Sequence, residues 1–210
     1  MINATREDNI RRIISMEDRA LKCYRCPELQ RCVRKPNLGK GDLEPEAVFV
    51  FESANNFNED IDNLLQLRKN ISTAYGINKI YHTFLVRCQP KACPAITNLS
   101  CYGEDAKLID KDYKCILTNS LCDGVPIRPT DTQIVSCLSY TIEEIAILNP
   151  NYIFLFGERV GDFLLKSWGV FADKEVPYIL QYEDNNIFVV DYEEKFDESY
   201  CNEVKALLKS

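Results

Sequence analysis

The feature that most constrains this chain is a cysteine at the end of an apolar run. Residues 81–90 read Y-H-T-F-L-V-R-C-Q-P, a β-prone stretch that closes on Cys88. Cys23 and Cys26 lie far upstream as C-Y-R-C, and Cys137 lies far downstream, early in a helical run. Thiolates from a C-x-x-C turn, a strand end and a helix can surround one metal centre only if three distant segments meet. Such a closure fixes topology more tightly than any local propensity.

Ten cysteines in 210 residues are many for an ordinary cytosolic domain. The sequence shows no apolar stretch with a small-residue cleavage site and no run long enough to span a bilayer. Metal ligation is therefore expected rather than a disulfide framework, in a soluble protein of a cytoplasmic, reducing compartment with no membrane association. The net charge of −7 is uneven: residues 1–40 carry ten Lys/Arg against five Asp/Glu, and the remainder fifteen against twenty-seven. A basic N-terminal face keeps nucleic acid open as a partner. Residues 183–203 hold eight Asp/Glu against Lys195, which disfavours nucleic acid there and leaves room for a protein partner.

Periodicity supplies the elements. Residues 3–22 have apolar residues at helical spacing, and 33–45, with Pro36, Gly39, Gly41 and Pro45, read as loop. Residues 47–51, 81–86 and 152–156 are continuous apolar runs, as buried parallel strands show. Helices are expected over 61–75 with Gly76 as stop, 132–148 with Ile134, Leu138, Ile142, Ile145 and Leu148 on one face, 159–168 and 199–208. Short strands are expected at 178–180 and 187–190. The alternation predicts one α/β domain over 1–210, a three-layer α/β/α architecture with a mainly parallel central sheet. Residues 91–127 break the rhythm and read as a Cys-rich insertion. Its Cys93, Cys101, Cys115 and Cys122 could bind a structural Zn²⁺ or simply be buried thiols. Cys32 and Cys201 read as packing residues.

Four segments in this order resemble the iron–sulfur uracil-DNA glycosylases, the family-4 and family-5 branch of that superfamily. They are C-Y-R-C-P-E-L, residues 81–90, Arg128-Pro129-Thr130 through Cys137, and C-L-S-Y-T-I-E-E-I-A-I-L-N-P-N-Y-I-F-L-F-G-E-R-V at 137–160. The resemblance covers most of the chain outside 91–127. It implies a uracil-DNA glycosylase-like fold with a [4Fe–4S] cluster on Cys23, Cys26, Cys88 and Cys137, structural rather than redox-active. Spacing alone equally allows a four-thiolate zinc site on the same residues.

The departures from that pattern fall on its chemistry. Where the family has G-E-A-P-G, this chain has Phe51-Glu52-Ser53-Ala54-Asn55, keeping only the glutamate. The family's base-reading Asn falls at Phe84, which offers no amide. The family's stacking P-F-V-G segment has no counterpart, and its His-containing motif falls in Val189-Val190-Asp191-Tyr192-Glu193. His82, the chain's one histidine, takes a strand position. The sequence therefore points to a non-catalytic, glycosylase-like module that binds nucleic acid or serves in a larger nucleic-acid-processing assembly. One alternative is an active glycosylase of other base specificity using Glu52 and Asp191. Another is a zinc-stabilised protein-interaction domain. Glu52, Glu59 and Asp60 could form an acidic cluster, though solvated loop positions suit them better. Arg25, Arg31, Arg34, Lys35 and Lys40, around the first cysteine pair, are the candidates for phosphate contact. Tyr24 is expected to pack over the cysteines.

Overall fold

The computed structural model describes residues 6–26, 29, 36–92, 114–115, 119–120 and 125–209. At its centre is a run of apolar strands too uniformly hydrophobic to face water on either side. β2 (Ala47–Ser53) is buried at six of seven positions and β3 (Ile80–Val86) at all seven. β6 (Tyr152–Phe156) and β8 (Asn185–Val190) complete the inner sheet. β3, β2, β6 and β8 are neighbours in that order and all parallel, with Ala47 level with Ile80 and Tyr152.

Both edges reverse direction, so the six-stranded sheet is mixed rather than mainly parallel. β1 (Lys40–Gly41) runs antiparallel to β3, in a stretch read as loop from its glycines. Its two residues pair through backbone alone, which leaves no side-chain pattern to read. Gly41 is needed there: at φ 144, any Cβ would strike the Ile80 carbonyl. β7 (Tyr178–Tyr182) is the other edge, the first arm of a hairpin turned at Glu183-Asp184 into β8.

Side chains alternate between the faces of the sheet and feed two apolar clusters. Val48, Val50, Leu85, Ile153 and Leu155 pack with α1 (Arg6–Leu21), α3 (Asp131–Leu148) and α4 (Glu158–Ser167). Phe49, Phe51, Phe84, Phe154 and Phe188 pack with α2 (Ile61–Tyr75) and α5 (Glu198–Ala206). On that second face Phe154 stacks on Phe188 with ring centroids 4.5 Å apart. Among the described residues no helix is long and apolar enough to cross a membrane.

The helix ends follow their local chemistry. Asp60 caps α2 by accepting from the N–H groups of Asp62 and Asn63, and Gly76 ends it in the left-handed region. Thr130 and Gln133 form a capping box that starts α3, and Asn149 closes it at φ 44. The apolar stripe expected on α3 is only partly the buried face: Leu138 and Ile142 are half-buried, whereas Thr141 and Glu144 are fully buried. A partner across the sheet permits this, as shown below. Residues 91–127 leave and return at one place. β4 (Lys91–Ala92) pairs with β5 (Val125–Pro126), and the Ile127 N–H donates to the Pro90 carbonyl.

Candidate functional site

The topology brings the four singled-out cysteines together. Cys23 and Cys26 follow the end of α1, Cys88 lies two residues past β3, and Cys137 is in the second turn of α3. All four line one small, largely apolar cavity with Leu29 and Val86. None of the six described cysteines is in a disulfide. The Arg87 backbone N–H donates to Cys137 Sγ at 3.5 Å, tying the strand end to the helix. Burial, then the three neighbouring thiols, push the Cys88 thiol up to about 12. Burial likewise raises Cys137, against the opposing pull of the Arg87 N–H and guanidinium. A dry pocket of thiols is a poor place for bare thiolates and a suitable one for thiolates neutralised by metal. Among the described residues, no three or more His, Cys, Asp or Glu form a group that could hold a metal ion. The cysteines thus share a cavity without being drawn in as a finished coordination shell.

Arg25 does not reach out from this turn. Its guanidinium lies 4.8 Å over the Tyr140 ring and donates to the Ser136 carbonyl and Ser139 Oγ, stapling the C-x-x-C segment to α3. Tyr24 does not pack over the cysteines: it is 75% exposed. Both cysteines of the turn line the cavity; of the two residues between them, Arg25 packs along α3 and Tyr24 faces solvent. Lys40, on β1, lines a cavity on the α2 face, away from Arg25. Arg31, Arg34 and Lys35 lie outside the described residues, as do Cys32, Cys93, Cys101 and Cys122. Cys115 is buried, and Cys201, on the inner side of α5, is fully buried as a packing residue.

Beside the cysteines sits a buried ion pair that hydrophobic patterning passed over. Arg87 and Glu144 are 1% and 0% exposed and meet at 2.5 Å. Glu144 Oε1 accepts from Tyr81 Oη at 2.7 Å, and Oε2 accepts from Thr83 Oγ1 as well as from Arg87. Gly39 lies against this group; a Cβ there would collide with Tyr81 and Glu144. In the sequence, Glu144 lies outside the apolar stripe expected on α3, and Arg87 directly follows the apolar run 81–86.

At the C-terminal ends of the inner strands, Glu52 is committed twice. Oε2 accepts from Arg128 Nε at 3.0 Å and Oε1 from Arg159 Nη1 at 2.5 Å. Arg159 also pairs with Asp131 and donates to the Pro129 carbonyl. Asp131 and Glu52 hold Arg159 above its ordinary pKa although burial pulls the other way. Asp191 pairs with Lys195 at 3.2 Å and does not line the shallow cavity beside Glu52. Glu193 does line it; it is buried, and Asn55 and Asn58 both donate to its Oε1. Burial raises its pKa against those hydrogen bonds. Glu59 and Asp60 do not join Glu52: Asp60 caps α2, and Glu59 lines the cavity on the α2 face. Phe51 and Phe84 are buried with centroids 6.0 Å apart, Phe84 forming part of that cavity's wall.

The chain matches no protein-family model and no curated protein.

Proposed function

We propose that the chain is a three-layer, glycosylase-like α/β module in which Cys23, Cys26, Cys88 and Cys137 hold a [4Fe–4S] cluster. In this reading it binds nucleic acid, or acts as a subunit of a nucleic-acid-processing assembly, without excising uracil. The observation that carries the proposal is the convergence of four thiols from three separate segments on one apolar cavity. An all-thiolate set is what iron–sulfur clusters take. When bound, the cluster would supply the positive charge that the buried thiolates lack, and would join α1, the end of β3 and α3. Two features support the absence of base excision. A phenyl ring stands at position 84 where an amide would read a pyrimidine edge, and both oxygens of Glu52 are held by arginines.

Iron, sulfide and zinc per chain, measured on anaerobically purified protein, test the reading. About four irons with matching sulfide and a broad visible absorption are expected. Zinc without iron would overturn the cluster. A duplex carrying uracil should yield no abasic product under the same conditions, and measurable release of uracil would overturn the non-catalytic assignment.

A further inference from the structure

A cavity of about 480 Å³ lies on the opposite face from the cysteines, between α2 and the β1–β3 edge. That falls within the roughly 300–1,000 Å³ typical of small-ligand sites. Leu38, Leu64 and Phe84 form an apolar wall, and Lys40, Arg68 and His82 gather at a polar end. Ile61 and Leu65 line the same cavity yet are 64% and 54% exposed, an apolar rim open to solvent.

The polar end consists of hydrogen-bond donors. Arg68 Nη2 lies 2.8 Å from His82 Nδ1 and donates to the Lys40 carbonyl at 3.4 Å. A guanidinium has no acceptor, so Nδ1 must accept and the imidazole must be the neutral Nε2–H tautomer. Burial, then Arg68 and Lys40, hold His82 down at about 4, so it stays neutral near pH 7. Arg68 Nε is shut off from solvent with no hydrogen-bond partner. Among the described residues, neither Arg68 nor Lys40 has a carboxylate within ion-pair distance, although Glu59 lines the same cavity. Two cations at one end of a cavity, neither ion-paired among the described residues and Arg68 partly buried, form a site suited to an anion.

We propose that this cavity binds a small organic anion, a carboxylate or phosphate monoester on an apolar or aromatic body. The acidic group sits against Arg68 and Lys40, and the body lies along Leu64 and Phe84. The site goes beyond the cluster reading and is independent of it, since its walls are α2, β1 and β3 rather than the cysteine-bearing turn and α3.

His82 is the chain's only histidine, so its imidazole signals report on the cavity without assignment. The full ¹⁵N-labelled chain is titrated with benzoate, with phenyl phosphate and with neutral benzyl alcohol. The free protein should show the Nε2–H tautomer. At least one anion should move the His82 signals saturably, with benzyl alcohol at least about tenfold weaker. Arg68→Met and Lys40→Met should each weaken that anion by about tenfold or more while the backbone amide spectrum stays folded. The better of the two anions identifies carboxylate or phosphate as the recognised group. Absence of saturable binding by either anion overturns the proposal, as does unchanged affinity in both variants. Iron content measured on the same sample keeps a failure here separate from a failure of the cluster assignment.

Discussion

Replacing Glu144 by Gln tests whether the buried pair holds the cysteine-bearing strand end to α3. The change keeps the shape of the side chain and removes its charge, leaving Arg87 as a cation 1% exposed to solvent. Nε and Nη1 of Arg87 already have no hydrogen-bond partner, so no second acceptor takes over. The variant loses one charge-assisted hydrogen bond, about 1.5–3 kcal/mol, and turns one acceptor for Tyr81 or Thr83 into a donor, about 1 kcal/mol more. The sum, about 2.5–4 kcal/mol, overlaps the roughly 3–5 kcal/mol for stripping one partner from a buried pair. At roughly 2–4 °C per kcal/mol for a chain of this size, Tm should fall by about 5–16 °C. Urea unfolding followed by far-UV circular dichroism, on samples of equal metal content, should show the same loss with an unchanged m-value. The double variant Arg87→Met/Glu144→Leu should be more stable than the sum of its single changes, because an apolar pair needs no compensating charge, although Tyr81 and Thr83 lose their acceptor. A loss below about 1 kcal/mol for Glu144→Gln, or a double variant as unstable as the sum of the single ones, would refute the reasoning.

Cys88→Ser should lose most of the bound iron and the visible absorption if, as proposed, Cys88 is the ligand that follows β3; iron content equal to wild type would remove it from the proposed set. Thr130→Ala should cost about 1 kcal/mol by breaking the capping box that starts the Cys137 helix, and an unchanged unfolding midpoint would show that the helix start is held by other contacts. His82 adds a pH dependence of known sign. Its folded pKa, about 4, lies below the ordinary 6.5 of the unfolded chain, so the unfolded state binds the extra proton. The contribution is fully present above pH 6.5, falls as pH drops from 6.5 toward 4, and is then lost, at most roughly 3 kcal/mol. His82→Gln should flatten the wild-type decline in unfolding midpoint over that window; parallel curves would place the titration elsewhere.

How much of this was legible depended on whether the information was local. The inner strands at 47–51, 81–86 and 152–156 were plain because burial on both faces demands an unbroken apolar run. The stop of α2 at Gly76 was plain because a left-handed residue there favours glycine. The structure brings the four cysteines singled out by spacing and resemblance to one cavity. Other features were hidden because they arise only between segments. The Lys40–Gly41 edge strand exists through pairing with Tyr81 and His82. Glu144 finds its partners only once Arg87, Tyr81 and Thr83 are set opposite it. Arg68, on the amphipathic helix α2, meets His82 of β3 only once the two are packed together.

The same reasoning bears on Glu52 and Asp191, the two carboxylates that could otherwise stand in for a catalytic pair. A general base needs an oxygen able to take a proton from water in its transition state. Glu52 has one oxygen on Arg128 and the other on Arg159, and Arg159 is anchored in turn by Asp131 and the Pro129 carbonyl. These contacts join β2, the segment before α3, and α4 at the strand ends. Asp191 faces Lys195 instead and does not share the cavity beside Glu52. Glu193, two residues on, is the carboxylate that burial does make more basic, but both amide donors on it, Asn55 and Asn58, come from the loop after β2. The polar network at this end of the sheet therefore ties loops and helix starts to one another.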